Sequence, residues 1–405
     1  MSLRIAIVGC GVAGSVLGSL LSRTPGIDLV CYEKALPGDH AESGTGLNVG
    51  PNAMKALRLT LPELARDVHA ASHPWTRWRV DQTDGTPIFD FALSDLAEDA
   101  GIRIRWSELY RVLRAPLAQF ARFGIAIHRC EPDPRHAGRL QLQGHHADGQ
   151  AMSDDGFDLV VACDGRYSAL RAALGGPWTP RHVGATIYRA LVPDTAGGLI
   201  DDYAWWFNGP NRLLAFRVPP DHVYIAGSFP IPAGAEIPDA LRSPQALATH
   251  YLPGQRAACP PVRWMVAQLQ SHHADIHWAR LQESPPLFQD PKGQVLFLGD
   301  SAHGMVPTLG QGATQSVEDA CVAGRLIAQA VQDWPGGQAS PQRVAELTSR
   351  IAAVRAPRLR WVMDFSMDAT AAMLAGADAP AQMARLREPS YQAAFRRLWC
   401  DVGLD

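Results

Sequence analysis

The stretch Leu3-Arg4-Ile5-Ala6-Ile7-Val8-Gly9-Cys10-Gly11-Val12-Ala13-Gly14 decides how this chain begins to fold. Apolar, β-favouring text runs straight into G-x-G-x-x-G, and Ala/Leu/Ser-rich helical text continues to about Arg23 before a second strand, Leu29 to Glu33. The pattern is βαβ with parallel strands. Gly9 allows the tight turn, Gly11 lets backbone approach a pyrophosphate, Gly14 permits close helix packing, and Val12 and Ala13 open a helix whose N-terminus faces the anion. Glu33, about 20 residues on, is placed to accept from the ribose hydroxyls of an adenosine, and Lys34 follows it in the same site. The fingerprint predicts a bound dinucleotide without separating NAD, NADP and FAD.

Two later motifs narrow the choice. Leu159-Val160-Val161-Ala162-Cys163-Asp164-Gly165 is an apolar strand ending in Asp-Gly, and Ser168 then opens a helix. Val295-Leu296-Phe297-Leu298-Gly299-Asp300 is another such strand, continuing through His303 and Pro307 to Gly310-Gln311-Gly312-Ala313-Thr314 and a helix with Glu318-Asp319. A carboxylate delivered by a strand can reach a polyol chain, and a glycine-rich segment can lie flat beside a planar ring. The helix N-terminus that follows offers N–H groups where a reduced flavin carries negative charge. An FAD site needs these features and an NAD site does not.

Between the motifs, Trp75 to Phe91 alternates around an Asp84-Gly85 turn, a hairpin outside the parallel sheet. Gly44 to Leu59 reads as a loop and short helix, and Ser107 to Phe120 as a helix. Strands TIYRALV, YAWWFN, RLLAFRV and HVYIAGSF between Thr186 and Pro230 are separated only by turns, which predicts an antiparallel sheet. The fold expected is α/β: a Rossmann-type domain, a second domain of mainly antiparallel sheet, and C-terminal helices with a break at Pro335-Gly336-Gly337. The expected divisions are 1–72, 99–178 and 290–330 for the first domain, 73–98 and 179–289 for the second, and 331–405 for the helices.

A chain of 405 residues, 47% hydrophobic, has room for two cores. Formal charge is -3 and no run of like charges occurs, which speaks against nucleic acid or an anionic membrane as partner. Apolar stretches fall short of the ~20 residues a spanning helix needs. The start shows no secretory signal, so a soluble cytoplasmic protein is expected. Seven scattered cysteines without C-x-x-C give neither a disulfide framework nor a metal site.

With its three motifs in order, the chain resembles the single-component flavoprotein aromatic hydroxylases, the p-hydroxybenzoate and salicylate hydroxylase superfamily. That resemblance implies non-covalent FAD, with NADH or NADPH as a transient co-substrate, and ring hydroxylation by O2 through a flavin C4a-hydroperoxide. It also implies that Gly9, Gly11, Gly14 and Glu33 hold the ADP half, Asp164-Gly165 serve FAD and the nicotinamide, Asp300 binds the ribityl or pyrophosphate region, and Pro307 to Gly312 line the ring. Gly46, Leu47 and Asn48 match a segment that borders the flavin. Two departures stand out: Arg105-Trp106-Ser107-Glu108-Leu109 puts Trp106 where many members carry Arg, and Thr314 replaces a common Asn. The first variant is similar to the dihydroxypyridine hydroxylase branch.

Tyr188, Tyr203, His222 and Tyr224 are polar groups on antiparallel strands within reach of a phenol or carboxylate, and His303 is a candidate base. Alternation puts Trp205 and Phe207 on one face and Trp206 on the other. The C-terminal helices, with Trp361, Met363 and Met367, offer a lid, a face for a second copy of the chain, or packing at the junction. Two other readings stay open: an NAD(P)H oxidoreductase that does not hydroxylate, and a flavin-binding regulator.

Overall fold

The computed structural model describes residues 2–39, 44–176, 178–254, 256–334 and 339–404. Its first core is a five-stranded parallel sheet in the order Val295–Phe297, Leu159–Ala162, Leu3–Val8, Ile27–Glu33, Ala121–Phe123. Ile5, Ile7, Leu159, Val161 and Leu296 are fully buried, as expected for strands covered on both faces. The helices Val12–Leu21 and Gln311–Asp333 pack on this sheet and on each other. A three-stranded antiparallel sheet, Ile125–Pro132, Leu140–His146 and Ala151–Phe157, adds Ile127, Leu142 and Phe157 to the same core.

The second core lies on a seven-stranded sheet ordered His277–Glu283, Arg181–Pro193, His222–Ser228, Asn211–Val218, Tyr203–Asn208, Arg77–Gln82, Pro87–Ala92. Its pairs are antiparallel except Tyr203–Asn208 with Arg77–Gln82, which run parallel. The expected hairpin is thus a sheet edge. Period-two alternation sorts the side chains: Tyr203, Trp205, Phe207, Leu214 and Phe216 face the C-terminal helices. Trp206, Leu213 and Ala215 face the helices Pro244–Tyr251 and Pro260–Ser271.

Two expected elements differ in detail. Gly46–Val49, read as loop, is a strand because it pairs with Gly101–Arg105, which also takes His73–Trp75. The helix expected to reach Phe120 stops at Arg114, where Pro116 cannot supply an N–H, and a short 3-10 turn follows. The helix Pro341–Met373 packs at the junction: Leu359 and Met363 join the first core, Val362 and Phe365 the second. Trp361 stacks on Phe365 at 5.6 Å. The expected break at Pro335–Gly337 lies outside the described residues. No helix among them is long and apolar enough to cross a membrane.

Candidate active site

Where Leu3–Val8 and Leu159–Ala162 end, the chain leaves a cavity of about 340 Å3 between the two cores. Carboxyl ends of parallel strands are where open α/β sheets bind ligands. Both helices packed on that sheet start here. Their N-caps are Gly11 and Gly310, and neither start carries a side-chain cap. Two sets of unsatisfied N–H groups, each with a positive dipole end, therefore face one space.

The glycine turn is built by contact. Gly9 has φ +97°, and a Cβ there would lie 2.4 Å from the Cys163 carbonyl oxygen. A Cβ on Gly14 would lie 1.9 Å from the Gly9 oxygen, whereas one on Gly11 would meet nothing within 4 Å. Gly9 and Gly14 thus shape the turn from behind while Gly11, Val12 and Ala13 line the cavity. Glu33 works on the same turn: Cys10 N donates to its Oε2 at 2.8 Å, Ala35 N donates to its Oε1 at 3.0 Å, and Arg114 pairs with it at 3.3 Å. A carboxylate keeps further lone pairs for a ribose hydroxyl. Lys34 is exposed beside it and does not line the cavity.

Of the other expected residues, Gly46, Leu47, Asn48, Gly165, Gly299 and Asp300 line the cavity, as do Pro307, Gly310, Gly312 and Ala313. Asn48 Nδ2 is buried without a partner among the described residues and packs on Gly310, where a Cβ would come within 2.5 Å of it. Gln311 and Thr314 are fully buried behind the wall; the Thr314 hydroxyl accepts from Gly50 N at 2.9 Å and donates to Gly310 O at 3.0 Å. Asp164 sits just outside the lining, its carboxyl pushed up by burial against a hydrogen bond from Ser168. Trp106, in place of the family's common Arg, faces the cavity with its ring tilted against Tyr110 at 5.4 Å. Arg105 does not line the cavity, and Leu109 is buried in the first core.

The polar candidates separate by strand parity. Tyr203 and Tyr224 line the cavity. Tyr188 faces the opposite side of the sheet, against Tyr251, while its neighbours Ile187 and Arg189 line the cavity. His222 shares a face with Tyr224 but sits at the strand end, away from the cavity. His303 is fully buried, its Nε2 at 2.5 Å from Asp319 Oδ2, so it is locked behind the wall and is no base for a ligand.

Sequence reading missed Arg212. It is 1% exposed, lines the cavity, and has neither Nε nor Nη1 partnered among the described residues. Its guanidinium stacks on Trp205 at 4.5 Å. Burial pulls its pKa down, against four neighbouring tyrosines. Burial pushes the Tyr203 hydroxyl up to about 12 and raises that of Tyr224, both against Arg212, so both phenols stay protonated donors. Arg166 and Arg189 also line the space, against the one carboxylate of Asp300. The signal was present: Arg212 shares its strand face with Leu214, Phe216 and Val218, all apolar.

A sequence profile described as "FAD binding domain" matches residues 288–359. The chain is 30% identical over 350 residues to 3-amino-4-hydroxybenzoate 2-monooxygenase of Streptomyces platensis, covering 82% of this chain and 81% of that one. It is 27% identical over 347 residues to 6-hydroxynicotinate 3-monooxygenase of Bordetella bronchiseptica, covering 80% and 83%. A crystal structure of Klebsiella pneumoniae HpxO with FAD and uric acid superposes with TM-score 0.75 at 23% identity, over 99% of this chain and 97% of that one. Fold, paired uncapped helix starts and relatives together define a flavoprotein oxidoreductase. The chain belongs to the FAD-dependent aromatic monooxygenases. FAD is its cofactor, and enzymes of this family use NAD(P)H and O2.

Proposed function

We propose that this enzyme hydroxylates a small planar ring bearing an anionic oxygen, a carboxylate or an ionised ring hydroxyl, in the hydroxybenzoate, aminobenzoate or hydroxypyridine range. The observation that carries this reading is the buried Arg212 guanidinium in the cavity wall, with Nε and Nη1 unpartnered among the described residues. A buried charge without a partner is costly, and an anionic ligand removes that cost. The substrates named for relatives, 3-amino-4-hydroxybenzoate, 6-hydroxynicotinate and urate, are planar rings with acidic groups.

Bound FAD supplies the redox chemistry, passing electrons from the nicotinamide to O2 and one oxygen atom to the ring. The chain supplies binding, orientation and field. Amides at Gly11 to Ala13 would hold the pyrophosphate, Asp300 the ribityl hydroxyls, and the helix start after Gly310 the electron-rich end of the ring, with Asn48 Nδ2 as a further donor. Arg212 would fix the substrate anion while Tyr203 and Tyr224 donate through Oη. The positive field favours an ionised ring hydroxyl, which raises ring electron density. Ile187, Leu214 and Met305 exclude water.

Asp300→Ala is expected to weaken FAD binding without unfolding the chain. Losing a charge-assisted hydrogen bond costs about 1.5 to 3 kcal/mol, roughly ten- to a hundred-fold in affinity. Unchanged FAD affinity in the folded variant assigns Asp300 to another role.

Substrate-gated reduction tests the reading as a whole. Anaerobic stopped-flow reduction by NADH and by NADPH is expected to accelerate with an anionic aromatic and not with its neutral amide or ester. A ~100-fold gain requires about 2.7 kcal/mol of preference for the reducible state. Acceleration with all O2 recovered as H2O2 marks that compound as an effector only. No acceleration across hydroxybenzoates, aminobenzoates and hydroxypyridines removes the anionic-ring reading.

A further inference from the structure

Behind the Gly310 helix start lies a buried charge cluster that contributes no side chain to the cavity lining. Gln311, Gln315, Glu318 and Asp319 sit on successive turns of one helix face, all fully buried. Glu318 takes Arg355 Nη1 at 3.0 Å, Arg358 Nη2 at 3.2 Å and Gln315 Nε2 at 2.9 Å, and it also bonds to Asn52 Nδ2. Asn52 opens the helix after Gly50, and its Nδ2 donates to Gln311 Oε1 at 3.1 Å. Asp319 takes Arg355 Nε at 2.8 Å, His303 Nε2 at 2.5 Å and Gly299 N at 2.9 Å. Arg358 continues to the Arg397 and Leu398 carbonyls at 3.0 and 2.6 Å.

We propose that Glu318 is a positioning residue for flavin reduction: it joins the Gly50 turn, the Gly310 helix start and the helix Pro341–Met373 at one point, and with Arg355 and Arg358 it sets the electrostatic field at the ring end of the cavity. Two carboxylates face two guanidiniums, Glu318 and Asp319 against Arg355 and Arg358, with His303 Nε2 on Asp319. In low-dielectric surroundings a change of one charge there is weakly screened. An excess positive charge stabilises a reduced, anionic flavin, and an excess negative charge does the reverse.

The inference rests on FAD lying along this cavity and is independent of the substrate. Its test is the two-electron midpoint potential of the FAD-bound protein, measured spectroelectrochemically without substrate, beside thermal melting. Glu318→Gln keeps the shape and makes the cluster one charge more positive, and its potential is expected to rise. Arg358→Met makes the cluster one charge more negative, and its potential is expected to fall. Arg358→Lys keeps the charge and is expected to stay at the wild-type value. Shifts of opposite sign in the first two variants, with the third unmoved, support the role. Potentials that stay fixed while melting temperatures drop, or that move the same way in both, overturn it and leave a purely structural cluster. Because Glu318→Gln and Arg358→Lys both keep a polar side chain in the cluster, that pair alone decides the question if Arg358→Met does not fold. A wild-type potential in folded Glu318→Gln is then sufficient to overturn the role.

Discussion

Arg212→Met is expected to abolish the response to anionic aromatics while the protein becomes no less stable. Arg212 stands in the wall with Nε and Nη1 unpartnered among the described residues, so its buried charge lacks hydrogen bonds at two of three nitrogens. Replacing such a group by an apolar side chain of similar length is neutral or stabilising, here by about 1 to 3 kcal/mol. For the bound anion the sign reverses. Truncating one partner of a buried charge pair costs about 2 to 5 kcal/mol, or roughly thirty- to several-thousand-fold in affinity. Thermal melts of the variant and titration of the flavin spectrum with each aromatic check both halves. Retained binding removes Arg212 from the substrate site. A fall in stability of more than about 2 kcal/mol marks it as a fold-holding residue instead.

Gly14→Ala carries the other large effect, and it strikes the fold before the ligand. Its new methyl would stand 1.9 Å from the Gly9 carbonyl oxygen, a backbone atom that no rotamer change can move. The helix Val12–Leu21 must then lift off the turn, at about 1 to 3 kcal/mol or more. Purified variant is expected to melt earlier even without cofactor and to lose FAD by at least about a hundred-fold in affinity. Gly11→Ala is the control, because nothing lies within 4 Å of the added methyl. It is expected to leave apo-protein melting unchanged and to weaken FAD only through crowding of the pyrophosphate. Identical behaviour of the two variants contradicts this division of labour.

Much of the cofactor side was legible because each piece is local. A glycine that packs a helix onto a strand, or an Asp-Gly at a strand end, is read within a dozen residues, and Gly11, Gly165, Gly299 and Gly310 meet at one cavity as their motifs suggest. Substrate-side residues were less legible because they meet through sheet register. Tyr224 and Arg212 lie on neighbouring antiparallel strands, and only the face each shows decides whether it lines the cavity. Tyr188 and Arg189 are adjacent in sequence and point to opposite sides. His303 attracted attention as a base through its chemistry, yet Asp319, sixteen residues along, holds it. The strand Ala151–Phe157 was passed over because its text is polar: it pairs along one edge only, and much of it is solvated.

The strand orders also govern how the molecule can be made. Leu159–Ala162 pairs on one side with Leu3–Val8, long finished, and on the other with Val295–Phe297, still to come. Arg77–Gln82 likewise waits for Tyr203–Asn208 before its inner edge is covered. At ribosomal speeds of about 5 to 20 residues per second, the Leu159–Ala162 edge stays bare for on the order of ten seconds. Apolar strands with open edges are templates for pairing with other chains. Yield in a cell will therefore depend on what shields the nascent chain during that interval, and fragments ending before residue 295 will aggregate instead of forming half of the enzyme.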